Sequence, residues 1–133
     1  MARKILIIDD EERIREVVRA CLEDLAGWRT WGAASGLEGL AQARLEQPDA
    51  ILLDVAMPAA TNGLEILAAI KADSLIQTIP VILLTAKGRA SDRAHFAQLD
   101  IAGVIYKPFN PLSLSTQVAQ ILGWVSRQAR PQL

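Results

Sequence analysis

Short continuous apolar runs alternate along the chain with stripes of helical spacing. Lys4 to Ile8 is a compact run of branched residues ending in Asp9 and Asp10, which predicts a strand buried on both faces. Ile14, Val17, Val18, Cys21, Leu22 and Leu25 then recur at helical intervals, with Arg13, Arg15, Glu16, Arg19 and Glu23 on the other side and Gly27 as the stop. Trp28 to Ala33 has the aromatic and β-branched content of a second strand, and Leu37, Leu40, Ala41 and Leu45 suggest a second helix ending before Pro48. Ala50 to Leu53 is a third strand closed by Asp54, and a loop through Pro58 leads past Gly63 to a helix carrying Ile66, Leu67 and Ile70. Pro80 to Leu84 forms a fourth strand ending at Thr85; Ser91 to Leu99 forms a short helix with Ser91 or Asp92 as its cap. Val104 to Tyr106 is the fifth strand. After Lys107 and Pro108, Asn110 caps, Pro111 opens and Leu114, Val118, Ile121, Leu122 and Val125 line a final helix.

Strands alternating with helices require right-handed crossovers and hence a parallel sheet covered on both faces, an α/β architecture in which function gathers at the carboxyl ends of the strands. The residues at those ends are Asp9 and Asp10, Asp54, Thr85 and Lys107. Each has an ordinary explanation as a cap, a turn residue or a solvated cation, but their joint placement favours a site. Carboxylates meeting at one edge repel: at an effective dielectric near 20 and ~5 Å separation, each charged pair costs about 3 kcal/mol. Lys107 neutralises one charge, and a hard divalent ion with oxygen ligands neutralises more. Such a site suits a metal and a phosphoryl group.

Composition narrows the field further. The 133 residues suit one domain, assigned to 1–127, with 128–133 as a tail or linker stub. With 14 Lys+Arg against 15 Asp+Glu, the chain lacks the basic excess of a nucleic-acid binder, so direct nucleic-acid binding is not expected. A single Cys21 has no partner for an intrachain disulfide, and with a lone His95 it cannot build a zinc cage. The apolar runs are far too short for a membrane span or a signal peptide. A cytoplasmic protein with no membrane association is expected.

The motifs Ile7-Ile8-Asp9-Asp10-Glu11, Leu52-Leu53-Asp54-Val55-Ala56-Met57-Pro58, Gly63, Pro80-Val81-Ile82-Leu83-Leu84-Thr85-Ala86 and Tyr106-Lys107-Pro108-Phe109 together resemble the receiver domain of bacterial two-component response regulators, over nearly the whole chain. That resemblance implies a flavodoxin-like (βα)5 fold with strand order 2-1-3-4-5, an order the family's chemotaxis member shows. By the same resemblance Asp54 is the phosphoacceptor for a histidine kinase, a phosphotransfer protein or a small phosphodonor such as acetyl phosphate. Asp10 and Asp54 hold Mg²⁺ directly, with Mn²⁺ as a substitute; Asp9 acts through metal-bound water and Ala56 through its backbone carbonyl. Thr85 and Lys107 bind phosphoryl oxygens. The resemblance implies a switch with intrinsic autophosphorylation and autodephosphorylation chemistry and no other catalysis. Its signal leaves through the fourth helix, fifth strand and fifth helix to a protein partner, from a monomer or a phosphorylation-linked homodimer.

Three features depart from the family pattern. Val104 stands where an aromatic residue often couples to the Thr; Tyr106, two residues on, shares its face but not its position. The stretch Ala59-Ala60-Thr61-Asn62 holds one residue more than the common spacing, beside the expected kinase edge. Ala56 and Lys87 occupy variable positions expected to set the phosphoryl lifetime. Trp28 and Trp31 are expected to face opposite sides as packing residues, Trp124 to be partly exposed, His95 to lie on the surface, and Lys87, Arg89 and Arg93 to form a solvated basic face.

Three other readings compete. A phosphorylation-independent adaptor has no use for so complete a site. An aspartyl-phosphate phosphatase of the haloacid dehalogenase kind needs an acid two residues past its nucleophile, where this chain has Ala56. A flavin binder needs a phosphate-cradling loop where Asp9-Asp10-Glu11 stands. No output module follows the last helix in this sequence, so the expectation is a single-domain regulator or a fragment of a longer chain.

Overall fold

The structure is a computed structural model that describes residues 2–55, 63–86 and 88–124. In chain order the elements are β1 (Lys4–Ile8), α1 (Glu12–Ala26), β2 (Arg29–Ala33), α2 (Gly36–Glu46), β3 (Ala50–Leu53), α3 (Gly63–Ala72), β4 (Val81–Thr85), α4 (Ala90–Phe96), β5 (Gly103–Tyr106), a 3-10 turn (Pro111–Ser113) and α5 (Leu114–Leu122). Five parallel strands pair in the order β2-β1-β3-β4-β5, the flavodoxin-like order. The expected Ala59–Asn62 insertion, Ala56, Lys87, Val125 and the 127/128 domain limit lie outside the described residues.

Because the side chains of a strand alternate between faces, β1 feeds two cores. Leu6 and Ile8 join Leu40, Ile66, Ile70 and Phe96 under α2, α3 and α4; Ile5 and Ile7 join Val18, Leu22, Leu114 and Val118 under α1 and α5. The central strands β1, β3 and β4 are almost wholly buried, which is why they read as unbroken apolar runs. Trp31 packs with the first core and Trp28 with the second, on opposite sides as expected. Among the described residues, no helix is long and apolar enough to cross a membrane.

Three local expectations fail. In α1, Val17 and Leu25 are expected in the buried stripe but are exposed at 41% and 43%, because the helix rests on the sheet through the narrower line of Val18 and Leu22. The sequence pattern predicts that the second helix packs through Leu37, Leu40, Ala41 and Leu45, but Leu37 and Leu45 are exposed, at 70% and 75%, and Ala41 is exposed too. The helix instead buries Gly36, Gly39, Leu40 and Ala43. A Cβ at Gly36 would overlap Ile66 and one at Gly39 would overlap Ile8, so absent side chains bring α2 close to β1 and α3. A hydrophobic stripe search cannot register a contact face made of glycine. The fourth helix starts at Ala90 after Arg89, without a side-chain cap, so neither Ser91 nor Asp92 caps it. Asn110 does cap: its side chain accepts the Leu112 N–H at 3.0 Å, although what it opens is the 3-10 turn that precedes α5.

Candidate functional site: an acidic cluster around Lys107

The carboxyl ends of β1, β3, β4 and β5 bring together residues far apart in sequence. Parallel pairing of β1 with β3 sets Ile8 opposite Leu53, so the residues that follow them, Asp9 and Asp54, emerge side by side. The Asp54 N–H donates to the Ile8 carbonyl at 3.0 Å and the Asp9 N–H to the Ala33 carbonyl at 3.1 Å. At the other side of β3, β4 ends in Thr85, which is fully buried, and its carbonyl accepts the Lys107 N–H at 2.8 Å. This last bond aims Lys107 back across the sheet edge.

The Lys107 ammonium reaches Asp9 Oδ2 at 2.9 Å, Glu11 Oε1 at 3.5 Å and Asp54 Oδ2 at 3.5 Å. Asp9 is wholly buried and Asp54 nearly so, at 3% exposure. Asp9 is held from several directions: Oδ1 accepts the Glu11 N–H at 2.9 Å, Oδ2 accepts from Lys107, and the backbone carbonyl accepts from Arg15 Nη1 at 2.7 Å. Burial alone pushes the Lys107 pKa down. The hydrogen bond to Asp9 and the charges of Asp54, Asp9 and Glu11 outweigh it and hold the ammonium above its ordinary value.

Asp9, Glu11 and Asp54 each offer a carboxylate oxygen, and these lie within 4.8 Å of one another. Three negative groups against one ammonium leave an excess of negative charge in a partly buried space. An all-oxygen donor set of this kind fits a hard divalent cation. Thus Asp9, Asp54, Lys107 and Thr85 gather at one edge, while Asp10 lies exposed at the same turn. Glu11 is a member of the cluster to which the sequence reading gave no role. Its signal was position: two residues past Asp9, at the mouth of α1, where the chain turns back over the strand end.

Farther out on β5, Val104 and Tyr106 both pack against the core under α4, as their spacing requires, and Ile105 faces the other core. The Arg93 guanidinium lies 4.0 Å from the centroid of the Tyr106 ring, and its Nε donates to the Gly88 carbonyl at 2.9 Å. Arg93 is therefore engaged rather than simply solvated. Together with Phe96, Leu99, Ile101, Val104 and Tyr106 it lines a groove of about 300 Å³ between α4 and β5. His95 is exposed, and Trp124 is half-buried in an edge-on contact with Trp28, 5.3 Å between centroids.

A parallel sheet of this order with an acidic, lysine-bridged cluster at its carboxyl edge defines the class of doubly wound, flavodoxin-like α/β domains. The chain belongs to the response regulator receiver domain family, whose model matches residues 5–119. It is 35% identical over 122 residues to the phosphate regulon transcriptional regulatory protein PhoB of Pseudomonas aeruginosa, covering 92% of this chain and 52% of that protein. It is 34% identical to the alkaline phosphatase synthesis transcriptional regulatory protein PhoP of Bacillus subtilis, covering 92% of this chain and 49% of that one. The chain thus spans about half the length of these relatives. Among solved structures it resembles the Vibrio cholerae chemotaxis response regulator CheY4, with a TM-score of 0.82 and 31% identity, covering 91% of this chain and 99% of that one.

Proposed function

We propose that the domain is a cytoplasmic, Mg²⁺-dependent phosphoacceptor that takes a phosphoryl group onto Asp54 from a histidine kinase or phosphotransfer protein and passes the signal to a protein partner. The observation that carries this reading is the single ammonium of Lys107 held between Asp9 and Asp54 at 2.9 and 3.5 Å. In the transfer, an Asp54 carboxylate oxygen forms the new P–O bond as the donor bond breaks: P–N in a phosphohistidine, P–O in acetyl phosphate. The electron pair leaves with the imidazole or the acetate.

Phosphoryl transfer needs alignment and charge stabilisation more than covalent assistance. In this reading Lys107 meets the negative oxygens of the incoming group and the Thr85 hydroxyl binds one of them after transfer. Asp10 and Asp54 would hold Mg²⁺ directly, Asp9 through water, with the Ala56 carbonyl as a further ligand and Mn²⁺ as a substitute. When bound, the ion would supply positive charge that offsets the acidic cluster and the incoming phosphoryl group. Ala56 and Lys87 are assigned to tuning the phosphoryl lifetime. The new charge on Asp54 biases the loop after β4, and the change reaches partners through α4, β5 and α5, with Val104 and Tyr106 at its edge. The protein is a monomer or dimerises on phosphorylation.

Incubation with Mg²⁺ and acetyl phosphate, followed by intact mass, is expected to give one phosphoryl adduct that disappears on chelation of the metal and in Asp54→Asn. An adduct that persists in Asp54→Asn contradicts the assignment. Its complete absence from the wild type favours the phosphorylation-independent adaptor.

A further inference from the structure

Two arginines one turn apart on α1, Arg15 and Arg19, lay their side-chain stems across Gly32 of β2, each within 3.5 Å of where a Cβ would stand. Their head groups then part. Arg19 Nε donates to Thr30 Oγ1 at 2.9 Å and Nη2 to the Thr30 carbonyl at 3.2 Å, tying α1 to the edge strand. Arg15 Nη1 reaches instead to the Asp9 carbonyl at 2.7 Å, a short charge-assisted bond at the base of the acidic turn.

From this geometry we infer that Arg15 is a positioning residue for the cation site, acting through the backbone of Asp9. The inference rests on the proposed phosphoacceptor reading. Asp9 and Glu11, two of the three clustered carboxylates, leave the chain within one turn, and that turn is pinned at its amide by Ala33, at its carbonyl by Arg15 and at the Asp9 side chain by Lys107 and the Glu11 N–H. Removing the Arg15 bond frees the Asp9 carbonyl and the peptide plane that sets the direction of both carboxylates. Partners that orient metal ligands in this way contribute to metal affinity without touching the ion.

A positioning role and a charge-only role differ in sign. A guanidinium acting by charge alone repels a divalent cation, so its loss tightens binding; a guanidinium that orients Asp9 weakens binding when lost. The test is calorimetric titration of the unphosphorylated protein with Mg²⁺, in the wild type, Arg15→Met, Arg15→Lys and Thr30→Val. Arg15→Met keeps most of the stem over Gly32 and removes the donor, with Arg15→Leu taking its place should it not fold. Thr30→Val disturbs the same α1–β2 seam through Arg19.

Mg²⁺ affinity is expected to fall about tenfold in Arg15→Met, the lower end of the range such partners command. Arg15→Lys, which keeps a donor atom and the charge but not the planar guanidinium, is expected to recover part of that loss, and Thr30→Val to bind Mg²⁺ like the wild type despite its lower stability. Unchanged or tighter binding in Arg15→Met, or an equal loss in Thr30→Val, overturns the inference and leaves the phosphoacceptor reading standing. A wild type that binds no Mg²⁺ overturns both.

Discussion

The ammonium of Lys107 sits where burial and hydrogen bonding oppose each other, and the hydrogen bond to Asp9 with the neighbouring carboxylates prevails. A folded-state pKa raised above the unfolded value contributes stability that is complete below the unfolded lysine pKa, about 10.4, and is lost as pH rises through the folded value. Lys107→Met leaves Asp9 and Asp54 buried without their cation and is expected to cost about 3 kcal/mol in urea unfolding at neutral pH, the scale for stranding a buried charge. The gap between wild type and variant should hold steady up to about pH 10 and narrow only above it. A gap that closes on acidification through neutrality would contradict this account of the site. Asp9, Asp54, Thr85 and Lys107 could be read from sequence because each ends an apolar run, and in a parallel α/β sheet such ends share one edge. Glu11 and Arg15 could not. Their positions in the site depend on how one tight turn folds over β1, and no periodicity encodes that path.

At the scale of elements, the start of α3 is what presses on the site. A Cβ on Gly63 would overlap the Asp54 carbonyl oxygen and the Val55 Cα, backbone atoms that cannot swing aside. At Gly36 the obstacle is only the Ile66 side chain. Gly63→Ala is therefore expected to cost about 2 kcal/mol, within the range for overpacking, and to slow adduct formation at Asp54. Gly36→Ala should destabilise less and leave that rate unchanged. Urea midpoints and adduct rates measured together check the pair, and equal effects on both would argue against a special link between α3 and Asp54. The strands and α3 were legible because their buried faces are apolar, whereas α1 was legible only in part, since Val18 and Leu22 are buried but Val17 and Leu25 of the same stripe face water. The second helix was misread for the opposite reason: its contact face is made partly of glycine, while its conspicuous leucines point to water.

Taken as a whole, the molecule uses an alternation visible in the sequence to build a parallel sheet, but alternation does not dictate strand order. That order came from the family resemblance, and the observed β2-β1-β3-β4-β5 sheet agrees with it. It matters for function because it makes β1 and β3 neighbours, with β4 and β5 following on the far side of β3, so that an acidic end, a second acidic end, a hydroxyl and an ammonium succeed one another along one edge. The same order puts β5 and α4 beside the hydroxyl, where Arg93 lies over Tyr106 in a groove that Val104 also lines. The central claim is that this edge makes Asp54 the phosphoacceptor. It is tested most directly by treating the acetyl phosphate product with borohydride, which reduces an acyl phosphate to an alcohol, and locating the modified residue by peptide mass spectrometry. The expected result is homoserine at position 54 and at no other aspartate; reduction at Asp9 or Asp10, or at none of the three, would contradict it.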